Sequence, residues 1–150
     1  ELVEDHSRVF LSVEGEIPAQ LEKYKLPIDP TEIHSILYYA ELFIGEGATM
    51  ASECAVLGTP SVYVNSLSAG SLENQEKENL IHMFNSTDGV IEKVEEILRN
   101  DNYKTQQKIM RDKALEKKVD VNKFMEWFIL NYPNSYEKIK ENPSFQYKIE

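Results

Sequence analysis

The fold of this chain is decided by residues 42–64, which read LFIGEGATMASECAVLGTPSVYV. Residues 42–44 form a short, wholly apolar run, which is typical of a strand in a parallel sheet that is covered on both faces. A glycine turn and a predicted helix over residues 49–57 follow, and Gly58 stands where a left-handed residue ends a helix. Residues 61–64 predict the next strand. The stretch therefore predicts a βαβ unit.

The flanking sequence predicts further helices and strands around this unit. Asp29 is expected to cap a helix that begins at Pro30 and runs to Ala40, because Asp suits the N-cap and Pro the first helical position. Strands are also predicted over residues 8–13 and 80–84, and helices over 19–24, 90–98 and 103–118 and after Asp120, with a helix entered near Leu72. This alternation predicts an α/β fold with a Rossmann-like, three-layer parallel sheet.

The length of 150 residues suits one domain or a piece of a larger protein. We expect one domain over residues 1–133 and a loosely ordered tail over residues 134–150, because Pro133 ends the last predicted helix. The chain begins with Glu1 rather than Met and runs at once into an apolar segment. We therefore expect it to be a C-terminal piece of a longer protein.

Composition excludes several classes of protein. Sixteen Lys and Arg against 26 Asp and Glu give a formal charge of −10, which makes binding of nucleic acid unlikely because phosphate backbones are repelled. No apolar run is long enough to span a bilayer. Cys54 is the only cysteine, so a disulfide framework is excluded, and a reducing, cytoplasmic setting fits best. We expect Cys54 to be a small buried hydrophobe rather than a nucleophile.

No metal site or cofactor is predicted, because the three histidines are far apart and have no ligand-like spacing to Cys or Asp. His34 lies in the first turn of its helix, where it points toward the glycine turn or into solvent. The glycine turn itself joins a buried strand to a helix. Such a turn presents unpaired backbone amides at the positive end of a helix and suits a phosphate without any Lys or Arg. The glycine spacing matches neither the dinucleotide nor the Walker motif.

Glu53 follows Thr49 by one helical turn, so its carboxylate shares the face that looks toward the start of the helix. A carboxylate accepts two hydroxyl hydrogens at once, which is what a ribose diol offers. The alternative is a solvated glutamate. The helix is otherwise largely apolar and should be buried, and a carboxylate in such a helix needs a partner.

The run from Tyr39 to Glu53, followed by Gly58-Thr59-Pro60 and a strand, resembles the C-terminal nucleotide-sugar-binding half of GT-B glycosyltransferases. It is similar to the peptidoglycan N-acetylglucosaminyltransferase and, more distantly, to UDP-N-acetylglucosamine 2-epimerase. The chain also resembles, over about residues 8–132, a domain-of-unknown-function family of the same clan that shares the IGEGATM and LGTP motifs. The resemblance implies that the sheet is one half of a GT-B architecture.

The same resemblance implies a set of substrate-binding residues. Gly47, Ala48 and Thr49 match the turn whose amides would hold the donor diphosphate, and Gly45 and Glu46 of the same segment are included among the substrate-binding residues. Glu53 matches the acid that hydrogen-bonds the ribose hydroxyls, and Gln75 falls near the amide that reads the hydroxyls of the donor sugar. Ile28 ends the segment whose main chain would pair with the base edge.

The implied function is donor binding, of a UDP-sugar or another nucleotide sugar, in a GT-B type glycosyltransferase that is catalytically incomplete without its N-terminal domain. Two alternatives stay open: a fragment of a UDP-sugar 2-epimerase-like enzyme, and a non-catalytic interaction domain that keeps the fold. No residue predicts a general base, so the catalytic residues stay unassigned. The expected partners are the nucleotide sugar and the missing N-terminal domain, and the oligomeric state, a homo-oligomer included, stays open.

Overall fold

The computed structural model describes residues 3–13 and 15–149 of the chain. Its sheet has three parallel strands, β1 (Phe43–Gly45), β2 (Ser61–Val64) and β3 (His82–Phe84), in the order β1-β2-β3. The carboxyl ends of the strands therefore meet at one edge of the sheet, as they must in a parallel arrangement.

The helices alternate with these strands. They are α1 (Ile33–Tyr39), α2 (Ala48–Leu57), α3 (Gly70–Lys77), α4 (Val90–Leu98), α5 (Tyr103–Leu115), α6 (Val121–Leu130) and α7 (Asn134–Glu141). Short 3-10 helices cover Ala19–Tyr24, Pro30–Glu32 and Pro143–Lys148. α2 connects β1 to β2, and α3 connects β2 to β3, so the predicted βαβ unit is confirmed.

Strand β2 lies in the middle of the sheet and is covered on both faces. Val62 packs with Val94 and Ile97 of α4, and all three side chains are buried. Because side chains alternate along a strand, Ser61 and Tyr63 face the opposite side, and α2 packs on β1 and β2. The result is the predicted α/β fold, a Rossmann-like parallel sheet flanked by helices.

The ends of the helices around the sheet are set by local chemistry that the sequence predicted. Gly58 follows α2 with φ 76°, in the left-handed region, and the backbone amides of Gly58 and Thr59 donate to carbonyls of the last turn. The Asp29 side chain accepts a hydrogen bond from the amide of Thr31, so the predicted N-cap is confirmed. The helix that follows starts with a 3-10 turn and continues as α1.

The prediction of a strand over residues 8–13 is wrong. Leu11 forms only an isolated parallel bridge with Lys25, in which its amide donates to the Tyr24 carbonyl at 2.7 Å. Phe10 and Val13 are 45% and 49% exposed. Strand propensity reflects how a side chain packs on a pleated surface, and this segment does not join the sheet.

Helix α5 ties the carboxyl ends of two other helices with cationic side chains. Lys104 Nζ donates to the carbonyl of Ala40, the residue that ends α1, at 2.6 Å. Arg111 Nη1 donates to the carbonyl of Val56 in the last turn of α2, at 3.1 Å. Such carbonyls have no partner within their own helix and carry partial negative charge, so cations are favoured there.

The chain divides into two compact units, residues 1–112 and residues 113–150. In the second unit Asp120 caps α6 as predicted, accepting from the amides of Asn122 and Lys123. The rings of Trp127 and Phe145 lie 5.3 Å apart, centroid to centroid. The sequence predicts a loosely ordered tail over residues 134–150; the described part of that range, residues 134–149, carries α7 and the last 3-10 helix. The domain division at residue 133 stays a prediction.

Candidate functional site

The turn between β1 and α2 presents bare backbone at the carboxyl edge of the sheet. Gly47 is the N-cap of α2 with φ −81° and ψ 106°, and no side chain caps this helix. The Gly47 carbonyl accepts the first helical hydrogen bond, from the amide of Ala51. The amides of Ala48, Thr49 and Met50 therefore have no partner within α2. Together with the helix dipole they form a site suited to an anion.

The two glycines of this turn have different reasons to be glycine. At Gly45 an added Cβ would lie 2.7 Å from the ring of Phe43, so a side chain there would require that ring to move. At Gly47 the nearest atom to an added Cβ is the Cβ of Met50 at 3.9 Å, and φ is negative. The fold does not require glycine at position 47. Close approach of a ligand to the backbone is a second reason for glycine at such a turn.

A cavity of about 340 Å³ opens beside this turn, within the range of small-molecule sites. One wall comes from the first two turns of α2, and the other from the start of α3. Its lining residues are Ala48, Thr49, Ser52, Glu53, Ala69 and Ser71. Helix α3 has Ala69 as an extended N-cap without a side-chain cap, so the uncapped starts of two helices line one cavity. Ligands of open α/β sheets bind at this carboxyl edge.

Glu53 lines the cavity with a side chain that is 37% exposed. The Nε2 atom of His34, in the first turn of α1, lies 3.4 Å from Oε1 of Glu53. His34 is not among the residues that line the cavity. The structure thus brings Glu53 together with Ala48 and Thr49, and it places the His34 side chain, which is 61% exposed, next to the carboxylate and outside the cavity lining.

The other predicted site residues lie outside the cavity lining. Glu46 is exposed, and its carbonyl accepts from Asn65 Nδ2 at 3.2 Å. Gln75 Nε2 donates to the Ser52 carbonyl at 3.4 Å, while Gln75 Oε1 is buried without a hydrogen-bond partner. Gln75 therefore links α3 to α2. Ile28 is half-buried in the segment that precedes α1.

The sequence analysis did not predict that the start of α3 forms the second wall of the cavity. It also did not predict that Asn65 forms a hydrogen bond with the turn after β1. Ala69 and Ser71 line the cavity, and Asn65 connects the segment after β2 to the turn after β1 through Glu46. The stretch of small residues over 68–71 is a usable signal. It follows a predicted parallel strand, and the carboxyl ends of adjacent parallel strands meet.

Electrostatics at the cavity come from the backbone and from acids. None of the six described residues that line the cavity is Lys or Arg. Burial raises the pKa of the Cys54 thiol, next to Glu53, to about 12, and the Glu53 carboxylate adds to this shift. The Cys54 side chain is fully buried, so the thiol is protonated near neutral pH and acts as a small core residue.

A second cavity, of about 310 Å³, lies near the amino end of β1 and includes His6, Glu41 and Lys104 in its lining. Among residues 3–13 and 15–149, no cluster of three or more His, Cys, Asp or Glu side chains has the arrangement of a metal site. Over the same residues, every helix is too short or too polar to span a bilayer. The candidate site is therefore the cavity between the starts of α2 and α3.

Comparison with known proteins identifies a family for this chain. Neither the curated proteins nor the solved structures contain a significant match to this chain. A family model described as "Protein of unknown function (DUF354)" matches residues 11–132. The match covers more than half of the chain and includes β1, the glycine turn, α2, α3 and the cavity between them. This chain belongs to the DUF354 family.

Proposed function

We propose that the cavity between α2 and α3 binds a nucleotide sugar, in the first place a UDP-sugar, and that the chain is the donor-binding half of a GT-B type glycosyltransferase. The observation that carries the proposal is the uncapped start of α2 beside a carboxylate on one cavity wall. A nucleotide diphosphate offers an anion and a diol in close succession. The site offers an anion-binding turn and a diol acceptor in the same order.

The diphosphate would lie against the amides of Ala48, Thr49 and Met50. These amides lack partners within α2, and Gly47 leaves space for the ligand to approach the backbone. The proposal does not need Lys or Arg in the cavity, because oriented amides and the helix dipole favour an anion on their own. The start of α3 supplies a second uncapped end at the same cavity.

The ribose would lie against Glu53. An ionised carboxylate has two oxygens and no proton, so it accepts from both hydroxyls of a diol. The side chain is partly exposed and lines the cavity, which leaves it accessible to a ligand. Gln75 would then support α2 from behind through the Ser52 carbonyl.

The chemistry would need groups beyond this site. The proposed reaction is attack of an acceptor hydroxyl on the anomeric carbon, with the nucleoside diphosphate as leaving group. Here the described residues hold the leaving group, while the acceptor and the base come from an N-terminal domain of the same protein. We place this activity in the cytoplasm, where the single thiol would stay reduced.

Calorimetric titration of the chain with UDP tests the proposal. Glu53→Gln keeps the shape of the side chain, but its amide NH₂ cannot accept a hydroxyl hydrogen. We expect this variant to bind UDP about 10- to 100-fold more weakly, the range for hydrogen bonds to a charged group. Glu92→Gln, at an exposed position of α4, is the matched control and should bind as the unchanged chain does.

Gly47→Ala tests the diphosphate contact separately. The structure has room for the added methyl group, so the melting temperature should not fall, while the affinity for UDP should. Absence of UDP binding by the folded chain at millimolar concentration contradicts the proposal. So does wild-type affinity in both Glu53→Gln and Gly47→Ala.

A further inference from the structure

We infer that His34 is a positioning residue that holds the Glu53 carboxylate, so that the site selects ribonucleotides over 2′-deoxyribonucleotides. The inference rests on the proposed function and assigns a role within it to a residue that lies outside the cavity. Its basis is the 3.4 Å separation between Nε2 of His34 and Oε1 of Glu53.

The first step concerns the freedom of Glu53. Its side chain is 37% exposed and projects from the second turn of α2. A glutamate in such a position samples several rotamers, and fixing it when a ligand binds costs free energy. A protein group that already restrains the carboxylate lowers this cost. His34 is the group that the structure places at ion-pair distance from it.

The second step concerns the rigidity of the element that carries His34. Helix α1 is held at its start by the Asp29 cap of the preceding 3-10 turn. Its carboxyl end is held by Thr59 Oγ1, which donates to the Leu37 carbonyl at 2.7 Å. Lys104 donates to the Ala40 carbonyl at the same end. These contacts fix the backbone of α1; the His34 side chain itself is 61% exposed and approaches Glu53 on α2, a helix that packs against α1.

The third step concerns which oxygen of the carboxylate lies next to His34 and which would contact the ligand. His34 lies next to Oε1 and does not line the cavity, whereas Glu53 does. With Nε2 of His34 3.4 Å from Oε1, the lone pairs of Oε2 stay available to the hydroxyl hydrogens of the ribose. His34 then acts on the ligand only through Glu53. Its loss should weaken binding of nucleotides that have both ribose hydroxyls more than binding of those that lack the 2′-hydroxyl.

The test compares the dissociation constants of UDP and 2′-deoxy-UDP by calorimetry, in the chain and its variants. We expect the unchanged chain to bind UDP about tenfold more tightly than 2′-deoxy-UDP, the lower range for a hydrogen bond to a charged group. His34→Ala should lower this ratio at least threefold. His34→Gln should restore it, because the Gln amide nitrogen reaches about as far as Nε2 and donates a hydrogen.

Controls separate positioning from stability and from direct contact. His6→Ala, at the second cavity, should leave the ratio unchanged. Adding His34→Ala to Glu53→Gln should have no further effect on UDP affinity, because His34 acts through the carboxylate. Melting temperatures of all variants show whether they fold. If His34→Ala does not fold, His34→Phe, which keeps a ring but has no N–H, takes its place and should lower the ratio in the same way.

Each outcome decides the inference. If the folded chain does not bind UDP, the proposed function fails and the role of His34 fails with it. If UDP binds and Glu53→Gln lowers the ratio while His34→Ala does not, the proposed function stands and the role of His34 is refuted. Independent, additive losses from the two substitutions place His34 on the ligand itself and also refute the positioning role.

Discussion

Replacing Gly58 by alanine should destabilise the protein more than a comparable substitution elsewhere. Gly58 ends α2 with φ 76°, where a non-glycine residue costs about 1–2 kcal/mol. An added Cβ would also lie 2.9 Å from Lys108 Cγ and 3.3 Å from Lys108 Cα. Forcing a methyl group into packed surroundings costs about 1–3 kcal/mol. We therefore expect Gly58→Ala to lower the free energy of unfolding by about 2–5 kcal/mol.

Gly70→Ala is the matched control for this substitution. Gly70 opens α3, its φ is not positive, and nothing lies within 4 Å of an added Cβ. Alanine there should raise the free energy of unfolding by about 0.4–1 kcal/mol, since it restricts the unfolded chain. Adding Lys108→Ala to Gly58→Ala removes the Cγ at 2.9 Å, so part of the loss should be recovered.

Thermal unfolding followed by circular dichroism measures these differences. At this chain length one kcal/mol corresponds to roughly 2–4 °C in melting temperature. Gly58→Ala should therefore melt at least about 4 °C lower, while Gly70→Ala should melt at or above the temperature of the unchanged chain. If Gly58→Ala lowers the melting temperature no more than Gly70→Ala does, the left-handed end of α2 does not stabilise the βαβ unit, and the reasoning is refuted.

Three further predictions concern buried groups. Thr59→Val should cost about 1–3 kcal/mol because it leaves the buried Leu37 carbonyl without its donor, whereas Thr59→Ser should keep most of the stability in urea unfolding. Burial, with a smaller contribution from Lys93, lowers the pKa of His82 below its usual 6.5, so the unfolded state binds more protons just below that pH. The free energy of unfolding should therefore fall as the pH drops from 7 to 5. The same dependence on pH in His82→Gln as in the unchanged chain would contradict this prediction. With a pKa of about 12, about one Cys54 thiol in ten thousand is ionised at pH 8. A thiol reagent should therefore react with Cys54 only after the chain unfolds. Rapid reaction of the native chain would contradict this prediction.

Much of the fold could be predicted because its signals are local. The apolar strand over residues 42–44, the left-handed Gly58 and the Asp29 cap each depend on a few neighbouring residues, and the structure has all three features. The segment over residues 8–13 carries equally good strand residues and makes only one bridge. Whether such a segment joins a sheet depends on a free edge elsewhere in the fold, which its own residues do not encode.

The sequence by itself determined the glycine turn, the helix that follows it and the presence of an acid one turn further on, because these lie within nine residues of one another. Only the tertiary structure decided what surrounds them. Three contacts join residues that are 16 or more positions apart: the wall that α3 adds to the cavity, the hydrogen bond from Asn65 to Glu46, and the approach of His34 to Glu53. Such contacts depend on how the strands align and on which helix packs beside which. Side-chain periodicity within one segment carries no information on either, so the candidate site became complete only in the folded chain.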